Sequence, residues 1–202
     1  MKRHLKRIAF VLIVAMGVGV WGLLTDSKAL YDGILRLHVV GASDSEEDQA
    51  VKLQVRDAVL SSLEDGLNSL TDMDAAAAYV QKMLPQVEAA ANRVLAAAGV
   101  DMTATASFLE ETFQTREYDT FSLPAGVYKA LRVVIGEGEG KNWWCVVFPD
   151  LCTGTRTEFV ETASVAGMSE TLTGTLEGEY EIRFWLLEKI GELKNFFFAS
   201  SD

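Results

Sequence analysis

The stretch ILRLHVVGASDSEEDQ, residues 34–49, contains the change of periodicity that decides the fold class. Its first seven residues place Arg36 and His38 between leucines and valines, and this alternation is typical of a β-strand. The next four residues, GASD, predict a turn. Ser43 or Ser45 then caps a helix, because an acidic residue follows three positions later, as in a capping box. We therefore expect a strand that leads directly into a helix.

The sequence after this stretch first continues as helix and then changes to strand. Apolar residues recur every three to four positions up to Gly66 and again over residues 71–99, which predicts two helices. Pro85 lies inside the second helix and predicts a kink or a break. From Met102 the period changes to two. Three strands are expected there: 103–113, 126–135 and 143–148. The glycine-rich loop between the last two predicts a flexible hairpin connection.

The end of the chain adds one further helix. Residues 153–180 are rich in Thr, Ser and Gly and show no clear period, whereas residues 181–198 have the pattern of an amphipathic helix. The order is thus strand, helices, three strands and helix. This order predicts an α+β fold, in which helices pack on one face of a mostly antiparallel sheet of about four strands.

The N-terminus has the composition of an export segment. Four cations between Lys2 and Arg7 precede an uninterrupted run of 17 apolar or glycine residues, Ile8 to Leu24. A basic flank followed by an apolar run is typical of a secretory signal or an N-terminal membrane anchor. Small residues at Ser27 and Ala29 suit cleavage after Ala29. Residues 1–29 are therefore predicted as a signal peptide or anchor helix, and residues 30–202 as a single exported domain.

The exported domain is strongly acidic. Residues 30–202 contain 13 basic and 28 acidic side chains, a net charge of −15. This charge repels nucleic acid and anionic lipid surfaces. We expect no nucleic-acid partner, and contact with a membrane only through the N-terminal segment if it is not cleaved.

No catalytic or metal-binding motif is found in the sequence. His38 is the only histidine outside the N-terminal flank, and it has no metal-ligand spacing to a cysteine. No catalytic residue, metal or cofactor is therefore predicted. Two alternatives stay open: an exported cell-envelope hydrolase that uses His38, Asp44 and a cysteine, and an envelope protein that packs against other proteins without signalling.

The stretch NWWCVVFPDLC, residues 142–152, contains both cysteines. Exported proteins fold where disulfides form, so a bond between Cys145 and Cys152 is predicted, with a chain reversal at Pro149 and Asp150. Two buried free cysteines are the alternative. The adjacent Trp143 and Trp144 point to opposite faces of a strand. Either one of them fills the core and the other is available for a partner, or both belong to the core because each face is covered.

Two long blocks resemble the stage II sporulation protein R family. They are RLHVVGASDSEEDQAVKLQVRDAVL, residues 36–60, and LPAGVYKALRVVIGEGEGKNWWCVVFPDLC, residues 123–152. Their order and spacing match the family, as does the N-terminal membrane segment. This sequence departs from the family at Ala42, where Asn is usual, and at Gln114 and Asp150, where Pro is usual. None of these three is a reactive group, so the departures concern loops and turns.

The resemblance implies a signalling protein and not a catalyst. Members are made in the forespore and exported into the space between the two membranes of the sporulating cell. There they activate a membrane-embedded aspartic protease of the mother cell, stage II sporulation protein GA, which then processes pro-sigma-E. For such an interface the candidate partner-binding residues lie near the first turn and on the tryptophan strand: Arg36, His38, Ser43, Asp44, Trp143 and Trp144.

Overall fold

The computed structural model describes residues 2–118, 121–149, 163 and 168–199. These residues form five helices and six strands. The helices are α1 (Lys2–Gly33), α2 (Glu46–Leu67), α3 (Met73–Ala97), α4 (Glu170–Leu176) and α5 (Glu181–Ala199). The strands are β1 (Leu35–Val40), β2 (Ala104–Phe113), β3 (Arg116–Glu117), β4 (Ser122–Leu123), β5 (Gly126–Ile135) and β6 (Asn142–Phe148).

Four of the strands form a mixed sheet in the order β2-β5-β1-β6. The β2–β5 and β1–β6 pairs are antiparallel, and β1 runs parallel to β5. The strands β3 and β4 form a separate two-stranded hairpin. The predicted α+β fold with a four-stranded, mostly antiparallel sheet is confirmed.

The hairpin that was expected between β5 and β6 is wrong, because β1 lies between these two strands. The connecting loop crosses the end of β1 instead. The Gly140 N–H donates to the Gly41 carbonyl at 2.9 Å, which fastens the loop there. A Cβ on Gly140 would lie 2.3 Å from the Ser43 carbonyl oxygen, so only glycine fits this close approach. The glycine pattern correctly predicts a turn after β5, but it contains no information on which strand pairs with β5.

The helices α2 and α3 cover the first face of the sheet. They pack on Leu35, Leu37 and Val39 of β1 and on the matching side chains of β5. Ser45 is the N-cap of α2, since its hydroxyl accepts a hydrogen bond from the Asp48 N–H at 3.1 Å. The predicted capping is therefore confirmed, and the strand-to-helix turn begins this layer.

The helix α3 continues through Pro85, so of the two predicted outcomes, a kink or a break, the break is wrong. Proline removes one backbone hydrogen bond from a helix. Pro85 lies on the exposed side of α3, where water can satisfy the carbonyl left unpaired. The buried side of the helix, with Val80 and Val87, keeps its packing against the sheet.

The second face of the sheet is covered as well. Every residue of β1 is buried, which requires a layer on both sides. The C-terminal end of α1, together with α4 and α5, forms this layer around Leu30, Ile34, Leu172 and Leu187. The prediction of helices on one face only is therefore wrong. It follows from Arg36 and His38, which alternate with apolar residues in β1 as polar residues do on a solvated strand face.

The helix α1 combines an apolar, exposed part with a buried end. Among the described residues, one helix, Arg3–Gly33, is long and apolar enough to cross a membrane, with a mean hydropathy of 2.4 in its most apolar window. Its large side chains from Leu5 to Val20 are exposed. At the other end Leu30 and Tyr31 belong to the second core, and the Tyr31 hydroxyl lies 2.8 Å from the Ala125 carbonyl oxygen.

Candidate functional site

The second face of the sheet contains a group of charged and aromatic side chains under the β3–β4 hairpin. Arg36 and His38 lie two residues apart on β1 and so share this face. Across the sheet, His38 is paired with Arg132 of β5 and with Trp144 of β6. We call the group the Arg36–His38 cluster. Its members are Arg36, His38, Glu111, Arg116, Tyr118, Arg132 and Trp144.

His38 is oriented by a carboxylate and an indole ring. Its Nδ1 atom lies 2.9 Å from Oε2 of Glu111 and 3.0 Å from Oε1. Its ring stacks on Trp144, with centroids 5.4 Å apart. Glu111 also approaches Arg132, whose Nη1 lies 3.9 Å from Oε1. The His38 residue is only 6% exposed, and its second ring nitrogen, Nε2, has no hydrogen-bond partner among the described residues.

Arg36 is a fully buried cation, with 0% of the residue exposed. Its guanidinium carbon lies 4.0 Å from the centre of the Phe113 ring and 5.1 Å from that of Tyr128. Its Nη2 atom donates to the Tyr118 hydroxyl at 3.0 Å. Burial raises the pKa of Tyr128 well above its ordinary value, so this ring stays neutral beside the cation. Arg36 is therefore stabilised mainly by ring faces.

The β3–β4 hairpin lies over the cluster and contributes two of its members. The guanidinium carbon of Arg116 lies 3.8 Å from the centre of the Trp144 ring. Tyr118 stacks on Phe121 at a centroid distance of 4.7 Å and reaches Arg36 with its hydroxyl. The exposed Arg116 thus forms the outer edge of the cluster, whereas Arg36 lies at its base.

The charge of the cluster is opposite to that of the chain. The cluster contains three arginines and one histidine but a single carboxylate, Glu111, which contacts His38 and Arg132. The whole chain has 29 acidic and 18 basic residues, so acids are in excess elsewhere. A local concentration of positive charge in an acidic protein marks a place where an anionic group is attracted.

The structure separates the other predicted partner-binding residues from this cluster. Trp143 points to the first face, packs against that core and lies 4.9 Å from the guanidinium carbon of Arg56. The two tryptophans therefore face opposite sides, as predicted. The cluster brings together Arg36, His38 and Trp144 from the sequence candidates. Their roles in partner binding stay predictions.

Ser43 and Asp44 form the turn before α2 and do not contact His38. The Ser43 carbonyl accepts from Gln49 Nε2 at 2.7 Å, and Asp44 Oδ1 accepts from the Lys141 N–H at 2.7 Å. The first bond attaches the turn to α2, and the second attaches it to the β5–β6 loop. The carboxylate that contacts His38 is that of Glu111, which lies on β2 and not in this turn.

The hydrolase alternative required His38, Asp44 and a cysteine in one place. In the β1–β6 register Cys145 is paired with Leu37, whereas His38 is paired with Trp144. Successive residues face opposite sides of a strand, so the Cys145 and His38 side chains lie on different faces. The described residues therefore do not assemble this set. Within the same residues no group of three or more potential metal ligands occurs.

Only one cysteine of the predicted disulfide, Cys145, lies within the described residues. Cys145 is buried, with 3% of the residue exposed, and no cysteine in the described part of the chain is free. Cys152 and Asp150, which belong to the predicted bond and turn, lie outside the described residues. The pairing of Cys145 with Cys152 stays a prediction.

Four members of the cluster were not predicted from the sequence: Glu111, Arg116, Tyr118 and Arg132. Arg132 gives one usable signal, because it is a cation with apolar residues on both sides of it in β5. Glu111 gives a weaker one as a polar residue in an alternating strand. The contact between these residues and β1 depends on strand order, which periodicity does not determine.

Comparison with known proteins agrees with the resemblance of the two sequence blocks. The family model for stage II sporulation protein R (spore_II_R) matches residues 31–158. Stage II sporulation protein R of Bacillus subtilis (strain 168) is 34% identical over 121 residues, which cover 60% of this chain and 54% of the relative. The chain thus spans about half the length of that curated relative. No solved structure matches the chain significantly. Because the family model matches more than half of the chain, the chain belongs to the stage II sporulation protein R family.

Proposed function

We propose that this chain is an exported signal that activates a membrane-embedded aspartic protease, stage II sporulation protein GA, and thereby causes the processing of pro-sigma-E. The observation that carries the proposal is membership of the family, over residues 31–158. The apolar helix at the N-terminus supports export. The cluster supports a binding role, because it presents charge and aromatic surface without an evident nucleophile.

Binding explains the His38–Glu111 pair better than hydrolysis does. A carboxylate that orients a histidine is also found in hydrolases, where the other ring nitrogen activates a hydroxyl or thiol. Here Nε2 of His38 has no such partner among the described residues. Cys145 lies on the opposite face of the sheet. Within the described part of the chain, the pair therefore holds an imidazole in place without a group for it to activate.

We also propose that α1 is retained as a membrane anchor. The Asp26 carboxylate accepts from Arg183 Nε at 3.1 Å and from the Ser169 hydroxyl at 3.2 Å, which joins α1 to α4 and α5. Cleavage after Ala29 would remove Asp26 and leave Arg183 without this partner. It would also place a charged amino group on Leu30, which is fully buried. An anchored signal stays close to a membrane-embedded target.

The test is reconstitution of the three components in a host that does not sporulate. This chain, the candidate protease and pro-sigma-E are co-expressed, and the processed sigma factor is followed by immunoblot. Processing is expected when all three are present and not when this chain is omitted. A protease variant without its catalytic aspartates is the matched control. Processing that is independent of this chain would contradict the proposal.

A further inference from the structure

We propose that the Arg36–His38 cluster binds a carboxylate from an acidic side chain of a polypeptide partner. The carboxylate supplies hydrogen-bond acceptors that buried donors of the cluster lack. Only the identity of the partner rests on the proposed function. The site itself rests on contacts within this chain.

The main observation is a set of buried donors without acceptors. Nε and Nη1 of Arg36 and Nε of Arg132 are buried and have no hydrogen-bond partner among the described residues. Nε2 of His38 is also buried without a partner there, but because Nδ1 faces Glu111 it is a donor only when both ring nitrogens carry a proton. Buried polar groups in folded proteins are almost always paired, because an unpaired group has lost its water without compensation. Several unpaired groups on neighbouring strands indicate a site that is incomplete without a ligand.

The packing around Arg36 does not remove this deficit. Phe113 and Tyr128 offer ring faces to the guanidinium carbon, and such contacts stabilise the charge. The in-plane N–H groups of the guanidinium still require acceptors, of which the Tyr118 hydroxyl supplies one. A purely structural role for Arg36 would leave Nε and Nη1 without a partner in the described part of the chain for no benefit.

The geometry of the donors suits a carboxylate. An arginine presents parallel N–H groups that match the two oxygens of a carboxylate, and such charge-assisted bonds are strong. Trp144, Phe113 and Tyr118 surround the donors with aromatic surface, which suits the aliphatic part of a Glu or Asp side chain. Glu111 already carries one negative charge there, so a group with a single charge is favoured over a phosphate dianion.

The side from which a carboxylate approaches follows from the neighbouring charges. A groove of about 370 Å³ lies between the hairpin and α4 and α5, but it is lined by Glu117, Glu177 and Glu181, which repel an anion. Two arginines of the cluster reach the solvent: Arg116 is exposed, and the side chain of Arg132 is 40% exposed. An acidic side chain therefore enters past these two arginines and the half-buried Trp144.

The chain offers a site-specific readout, because it contains only two histidines, His4 and His38. The full chain, labelled with ¹⁵N-histidine and held in detergent micelles, is titrated with the capped peptide acetyl-Gly-Glu-Gly-amide. The isosteric Gln peptide, sodium acetate and inorganic phosphate are titrated separately at matched ionic strength. We expect the Glu peptide to shift the ¹⁵Nε2 signal of His38 in a saturable way and the Gln peptide to leave it unchanged. Acetate is expected to cause the same shift more weakly.

Arg36→Met separates a binding role from a structural one. Methionine fills a similar volume without the unpaired donors, so the thermal midpoint is expected to stay equal or rise. Binding of the Glu peptide is expected to weaken at least tenfold. Arg93→Met, at an exposed position of α3, removes the same charge elsewhere and should leave binding unchanged.

Four results would overturn the proposal. They are no saturable shift with the Glu peptide, an equal shift with the Gln peptide, a response to phosphate alone, and a response that Arg36→Met does not weaken. The first or last of these together with normal pro-sigma-E processing would reject the carboxylate site and leave the proposed function intact. Binding of the Glu peptide without any pro-sigma-E processing would support the carboxylate site and reject the proposed function.

Discussion

The Nδ1 atom of His38 lies 2.9 Å from Oε2 of Glu111, and this contact joins the central strand β1 to the edge strand β2 across β5. The His38 and Glu111 side chains are 7% and 17% exposed, so water screens their interaction weakly. Glu111 is also the only carboxylate in the cluster. The pair therefore stabilises the sheet and sets how much of the positive charge of the cluster remains uncompensated.

Removal of the Glu111 carboxylate should destabilise the chain. Glu111→Ala leaves the Nδ1 atom of His38 buried without an acceptor, and the expected loss in the free energy of unfolding is about 2 kcal/mol. Glu111→Gln keeps an acceptor but loses the charge, and about 1 kcal/mol is expected. Chemical denaturation of the micelle-bound chain measures both. Wild-type stability of Glu111→Ala would show that this contact is unimportant for folding.

His38→Gln separates binding from catalysis. Glutamine keeps a hydrogen-bonding side chain of similar reach, so the variant is expected to fold. A binding role predicts that pro-sigma-E processing is reduced but still detectable, because the rest of the interface remains. The measurement is the processed band per amount of folded protein. Complete loss of processing in a folded variant would favour the hydrolase alternative.

The two tryptophans should give different phenotypes when each is replaced by alanine. Trp143 packs on the first core and beside Arg56, so Trp143→Ala is expected to cost roughly 2 kcal/mol of stability. Trp144→Ala removes the surface between His38 and Arg116, and it should reduce processing more than Trp143→Ala at equal amounts of folded protein. Thermal unfolding and the processing assay are run on both. Equal loss of processing would leave Trp144 without a special role.

Local patterns in the sequence predict the longer helices and strands, but they predict neither the short elements β3, β4 and α4 nor the strand order. The period of two located β5 at Gly126–Ile135, and the capping serine Ser45 located the start of α2. Periodicity reports which side chains share a face, not which strand lies next to it. The insertion of β1 between β5 and β6 therefore could not be read from the glycine-rich loop.

The same limit applies to the cluster. Arg36, His38 and Trp144 were predicted as candidates from two blocks of sequence, and the β1–β6 register brings the two blocks together. Glu111 and Arg132 reach His38 only because β5 and β2 follow on the other side of β1. Alternation makes a buried charged strand face look like a solvated one, since both contain polar residues at every second position.

Retention of α1 predicts that the folded chain keeps its N-terminal segment. Mass spectrometry of the exported protein should give the full-length chain and not a form that begins at Leu30. Asp26→Ala leaves the Arg183 guanidinium without its carboxylate, and a loss of about 2 kcal/mol is expected because Asp26 is buried. Lys28→Ala, in an exposed pair with Asp32, is the control and should leave stability nearly unchanged, because water screens exposed ion pairs. A form that starts at Leu30 and still activates the protease would contradict the anchor.

The last prediction concerns the bond between Cys145 and Cys152. Cys145 lies on β6 opposite Leu37 and is buried, so the sheet fixes its position. Cys152 must approach this position for the bond to form. Closing a loop of about eight residues stabilises a fold by roughly 2.5 kcal/mol in the chain-entropy model, less any strain. The Cys145→Ser, Cys152→Ser double variant should therefore melt at a lower temperature than the oxidised chain. Intact mass after alkylation, with and without reductant, checks the bond directly, and two alkylated thiols in freshly exported, unreduced protein would show that it does not form.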